Sequence, residues 1–148
     1  MSRKEGELPG FTQKRRLLFS SKTTPQQMRE TGRLFLEAER YDDALEFFER
    51  TEAAQEVRQI AQFALDRGDT ALLLRAKKIL KEKPTEEELS AVARNALAAG
   101  KKSMAYVAHQ KAGHAEEADR LRAELFGPTQ GTRPADAPST APKAPDQR

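Results

Sequence analysis

The 148-residue chain has no cysteine and no tryptophan, and aromatic residues make up only 6% of it. Without cysteine there can be no disulfide, no thiolate metal site and no cysteine nucleophile. Few aromatics and many alanines and leucines imply a core of small and medium side chains, which suits short packed helices. No segment alternates apolar and polar residues in the manner of a strand. No apolar run approaches the roughly 20 residues that a membrane-spanning helix needs. The opening MSRKEGELPGF is basic but lacks the apolar stretch of a secretory signal, so a cytoplasmic protein is expected.

The chemistry-bearing residues are sparse too. His109 and His114 are the two histidines, and a spacing of five keeps them off a common helix face. No carboxylate cluster accompanies them at ligand spacing, so His109 reads as a packing residue. Glu86, Glu87 and Glu88 sit where carboxylates favour a helix N-terminus, a simpler role than metal binding. No phosphate-binding loop, nucleophile elbow or zinc-protease motif is present. The expectation is a protein without catalysis and without a cofactor.

Charge is unevenly placed. Residues 1–24 hold six basic and two acidic side chains, whereas residues 25–127 hold 17 and 19. The net charge of +3 and the high isoelectric point therefore belong to the N-terminal arm and not to the body. Binding of nucleic acid by the body is not expected. Arg75, Lys77, Lys78, Lys81 and Lys83, with Lys101 and Lys102, make a basic stripe without interleaved aromatics, which reads as a solvated face.

What is present is helical periodicity. Thr24, Pro25 and Gln27 form a capping box with proline in the first turn, and Met28, Gly32, Phe35 and Leu36 then recur on one face. A second period follows with Tyr41, Ala44, Leu45 and Phe48, so residues 24–51 read as a helical hairpin. Further helices are predicted over 52–67, stopped by Gly68; from Asp69 or Thr70 to Pro84; from the capping box Thr85/Glu88 to Gly100; over 101–111, broken by Gly113; and over 115–126. Residues 1–23 form a flexible basic arm in which FTQKRRLLF has helical character. That arm either docks its Leu17-Leu18-Phe19 end on the first hairpin or contacts a partner or an anionic membrane. Residues 128–148 hold five prolines and no bulky apolar side chain, and disorder is expected there.

The hairpins repeat. Shifted by 61 residues, Gly32 falls on Ala93, Phe35 on Ala96, Ala44 on Ala105 and Phe48 on His109, and the middle hairpin aligns Ala61, Leu72 and Ala76 with Gly32, Ala44 and Phe48. The first hairpin, with Met28, Thr31, Gly32, Phe35, Ala44 and Phe48, resembles the tetratricopeptide-repeat (TPR) superfamily. Thr31 stands where the family has a large apolar residue and Glu56 where it has proline; Pro84 keeps that proline in the middle repeat. The resemblance covers residues 25–126. It implies an all-α fold, a right-handed α-solenoid of about three TPR-like hairpins in residues 24–127 with a C-terminal capping helix. A solenoid of another family is the alternative.

The resemblance also implies a function. First helices of such hairpins line a concave groove, and the corresponding positions here are Gln26, Arg29, Arg33, Leu36 and Glu37, then Gln55, Arg58, Gln62, Leu65 and Asp66, then Ser90 and Arg94. Arginine forks suit carboxylates, so the expected guest is an acidic peptide or a C-terminal carboxylate. Neutralisation of the arginine row by Glu37, by Asp66 or by a guest is expected, a solvated polar face being the alternative. The implied role is a protein–protein interaction module; the other reading is a peripheral nucleic-acid or anionic-membrane binder that uses the basic arm.

Overall fold

The computed structural model describes residues 8–127, and every described regular element is an α-helix. These are α1 (Phe11–Phe19), α2 (Pro25–Glu37), α3 (Tyr41–Phe48), α4 (Ala54–Arg67), α5 (Thr70–Leu80), α6 (Glu86–Ala98), α7 (Lys102–Ala112) and α8 (Ala115–Phe126). The tail over 128–148, expected to be disordered, and residues 1–7 of the arm lie outside the described residues. Among the described residues no helix is long and apolar enough to cross a membrane.

Local chemistry accounts for most boundaries. Thr24 accepts from the Gln27 backbone while the Gln27 side chain takes the Thr24 amide, and Thr85 and Glu88 repeat the arrangement on α6. Asp69 caps α5 through the Leu72 amide. Gly68 and Gly113 end α4 and α7 in the left-handed conformation. The stop expected at Pro84 comes earlier. Lys81 itself turns left-handed at φ 59°, and its amide and that of Glu82 close on the carbonyls of Lys78 and Lys77.

The helices pair as α2/α3, α4/α5 and α6/α7, with α8 folded back on α7. Successive pairs touch: α3 meets α4 and α5, α4 lies beside α6, and α5 beside α7. The aligned repeat positions turn inward together. Gly32, Ala61 and Ala93 are buried, as are Phe35, Ala64 and Ala96, and Ala44, Leu72 and Ala105. Phe48 and Ala76 are buried while His109 is half-buried. The aromatic mass lies in the first pair, where Phe35 and Phe47 stack at 5.6 Å and Phe48 is fully covered. Towards α7 the core is largely alanine, and hydrogen bonds tie the pairs as well. The buried Thr70 hydroxyl donates to the Met104 carbonyl at 2.7 Å, and Asn95 Nδ2 to that of Leu65 at 2.8 Å.

α1 sits against α3. Lys14 reaches Asp43 at 2.5 Å and Glu46 at 2.8 Å, and Leu18 is buried. Of the three residues expected to dock, Leu17 is half-buried and Phe19 is exposed.

Candidate functional site

The groove positions lie on α2, α4 and α6, and their arginines do not stand as a free row. Arg29 and Arg33 reach from α2 to the start of the next helical pair, and Arg58 reaches from α4 to the turn that follows α5. Arg29 Nη2 donates to the Glu52 carbonyl at 3.1 Å, Arg33 Nη2 meets Glu56 Oε2 at 3.4 Å, and Arg58 Nη2 meets Glu82 Oε2 at 2.8 Å. The sequence separations are 23, 23 and 24 residues, two of the contacts starting from α2 and one from α4. Arg94, the next in the series, is exposed and makes no ion pair among the described residues.

The neutralising acids are thus Glu56 and Glu82, not Glu37 or Asp66. Asp66 instead accepts from Gln62 within α4 at 3.0 Å, and Gln26 likewise bonds Glu30 within α2 at 3.1 Å. Leu36 is half-buried and packs on the core, while Gln55 is exposed. An offset of 23 or 24 residues from an arginine to an acid, present twice, was the signal that would have found these pairs.

Around Glu82 the ladder thickens. Lys77 Nζ lies 3.5 Å from Glu82 Oε1 and 2.8 Å from Glu88 Oε1. The hydrogen bond from Arg58 holds the Glu82 carboxyl below its ordinary range, with Lys77 adding to it. The bond to Glu88 raises Lys77 above its ordinary value and outweighs the burial that opposes its charge. A cleft of about 190 Å³ opens beside this cluster, lined by Arg58, Ala61, Gln62, Leu65 and Leu73 among others. A second, of about 240 Å³, lies between Phe48, Ala53, Val57, Ile79 and Leu80.

The basic stripe is largely consumed by internal contacts. Arg75 pairs with Asp42 at 2.8 Å, Lys102 with Glu124 at 2.9 Å, and Lys101 caps α4 through the Arg67 carbonyl at 3.0 Å.

The histidines behave differently from what their spacing implies. The left-handed turn at Gly113 folds α8 back, so His109 Nδ1 and His114 Nδ1 stand 3.1 Å apart. His114 Nε2 faces Glu86 Oε1 at 3.2 Å. Burial, reinforced by His114, lowers His109 below its ordinary value against an opposing pull from Glu117. No group of three or more histidine and carboxylate side chains is placed to hold a metal ion among the described residues.

No family model, no curated protein and no solved structure matches this chain.

Proposed function

We propose that the protein is a non-catalytic interaction module, an adaptor or complex subunit whose three helical pairs stack as a right-handed, TPR-like α-solenoid capped by α8. In this reading it works in the cytoplasm, and an acidic segment of a partner protein lies along the first helices α2, α4 and α6. The observation that carries the reading is the state of the cations on those helices. The side chains of Arg33 and Arg58 are 54% and 59% exposed even while paired. Arg58 and Glu82 both lie open to solvent, so a guest carboxylate exchanges for Glu82 at small cost, whereas Glu56 is largely covered and is harder to displace. Among the described residues Arg94 has no such internal partner to displace.

The test is binding of the labelled full chain to a random-sequence peptide array, repeated with Arg33→Glu, Arg58→Glu and Arg94→Glu combined. Bound peptides should be acid-rich and should be lost from the triple variant while its helical circular dichroism remains. Selection of peptides without acidic bias, or retention by a folded triple variant, would overturn the reading.

A further inference from the structure

α1 is held in one rotational setting. Lys14, its side chain 14% exposed, is clamped between Asp43 and Glu46 of α3, and Leu18 is buried beside it. That setting turns another part of the helix outward. Phe11 is 75% exposed and Phe19 66% exposed, and Arg15 lies between them. The spacing of four and four stacks the three side chains along one side of the helix. The Arg15 guanidinium sits 5.9 Å from one ring centre and 5.8 Å from the other, and Arg50 at the end of α3 lies 4.9 Å over Phe19. Arg16 and Lys22 are exposed nearby, and no acidic residue occurs between Phe11 and Lys22.

We infer that this face of α1 is a peripheral contact for an anionic bilayer surface. The two rings enter the boundary between headgroups and acyl chains, and Arg15, Arg16, Lys22 and Arg50 engage the lipid phosphates and carboxylates. Charge complementarity selects an anionic partner, and shape selects a soft one. The rings project from a convex helix, while the clefts described above open between the helical pairs, away from α1. A folded protein partner needs a preformed pocket for each ring, whereas a bilayer makes room for them wherever they land. A single strand of nucleic acid fits less well. Positions eight residues apart on a helix are about 12 Å apart, too far for neighbouring bases to stack on both rings. The body beyond the arm also carries an acidic excess, 19 acidic against 17 basic side chains over residues 25–127, which repels a long polyanion. A planar membrane touches only the end of the molecule. Two rings and a few cations give weak, reversible attachment that depends on salt and on lipid charge.

The experiment is co-flotation of the full chain with phosphatidylcholine vesicles, with and without one-third phosphatidylserine, at low and physiological salt. Binding is expected only with the anionic vesicles and should weaken as salt rises. Arg15→Gln with Arg16→Gln should reduce the partition coefficient about thirtyfold. Phe11→Ser with Phe19→Ser should reduce it at least about tenfold, and because both rings are exposed the melting temperature should hold. The inference is overturned by absence of flotation at low salt, by equal binding to neutral vesicles, or by undiminished binding of either double variant. Tighter binding to a single-stranded oligonucleotide, lost in the same variants, would overturn it in favour of nucleic acid.

Discussion

Gly32 and Phe48 are in direct contact across the first helical pair: a Cβ built on Gly32 would stand 2.6 Å from Cε1 of the Phe48 ring. Phe48 is fully buried, so its ring must shift within the core to admit a methyl group there. Gly32→Ala gains roughly 1 kcal/mol of helix propensity but overpacks the core by about 1–3 kcal/mol. A net loss of up to about 2 kcal/mol is expected in urea denaturation. Phe48→Ala alone should cost about 3–5 kcal/mol. The double variant should lose less than the sum, because the added methyl enters the space that the ring vacates. Strict additivity would show that the two residues do not press on one another.

Gly68 offers a sharper contrast. Its φ is +72°, and a Cβ there would lie 2.3 Å from the backbone nitrogen of Ala96 in α6. Gly113 has a similar φ of +79° but open space around it. Gly113→Ala should therefore lose only the left-handed penalty of about 1–2 kcal/mol. Gly68→Ala adds a clash with an unyielding backbone, and a loss of about 3 kcal/mol or more is expected. Equal midpoints for the two variants in chemical denaturation would contradict the close approach of α4 to α6.

Arg29 and Arg33 lie one turn apart on α2 but should respond differently to alanine. Arg33 is more than half exposed and its pair with Glu56 is long, so Arg33→Ala should change stability by less than about 1 kcal/mol. Arg29 Nη2 holds the Glu52 carbonyl, and its Nε is buried without a partner. Losing that charge-assisted bond should cost about 1–2 kcal/mol in Arg29→Ala. Thermal melts of the two single variants decide it, and a binding assay is interpretable for Arg33 before Arg29.

Docking of α1 should depend on pH at both extremes. Burial alone would raise the Asp43 carboxyl, but Lys14 and Arg40 outweigh it and hold it below its ordinary 3.8. Burial likewise opposes the Lys14 charge, yet its bonds to Asp43 and Glu46 raise it above 10.5. The Asp43 contribution is complete above pH 3.8 and is lost as pH falls through the lowered folded value. The Lys14 contribution is complete below pH 10.5 and is lost as pH rises through the raised one. Lys14→Met should expose the α1 amides to hydrogen exchange at neutral pH. Unchanged protection would mean that Leu18 anchors the helix without the ion pairs.

The histidine pair makes stability sensitive to mild acid. Its two facing Nδ1 atoms need one donor and one acceptor, so at least one ring must be neutral. Since burial and His114 hold His109 below its ordinary 6.5, the unfolded chain binds this proton more readily than the fold does. The contribution is therefore complete above pH 6.5 and declines as pH falls through the lower folded value. The melting temperature should drop as the pH falls below 6.5, and His109→Gln should flatten that drop. An identical pH profile in the variant would place the sensitivity elsewhere.

Most helix boundaries whose cause lies within a few residues were legible in the sequence, the end of α5 at Lys81 and not Pro84 being an exception. The capping boxes at Thr24 and Thr85, the Asp69 cap and the stops at Gly68 and Gly113 each involve groups no more than four positions apart. Many inward positions followed from periodicity, because a helix face is set by backbone geometry, but the fully buried Phe47 was not among them and Leu97, on the face read as inward, is 44% exposed. The arginines of the candidate groove could be placed on their helices by the same reasoning, but their partners could not.

The sequence by itself thus determined that this is a chain of short amphipathic helices arranged in repeating pairs, with small residues at Gly32, Ala61 and Ala93. Only the tertiary structure decided which charges meet. Arg33 finds Glu56 and Arg58 finds Glu82 from 23 and 24 residues away, Lys14 finds Asp43 from 29, and His109 reaches His114 only because the Gly113 turn reverses the chain. Helix propensity and capping are short-range and leave the rotation and offset between helical pairs open. Those are set by how side chains such as Phe48 and Ala96 fill the space between neighbours, and long, flexible charged side chains settle last, onto whatever that packing brings within reach.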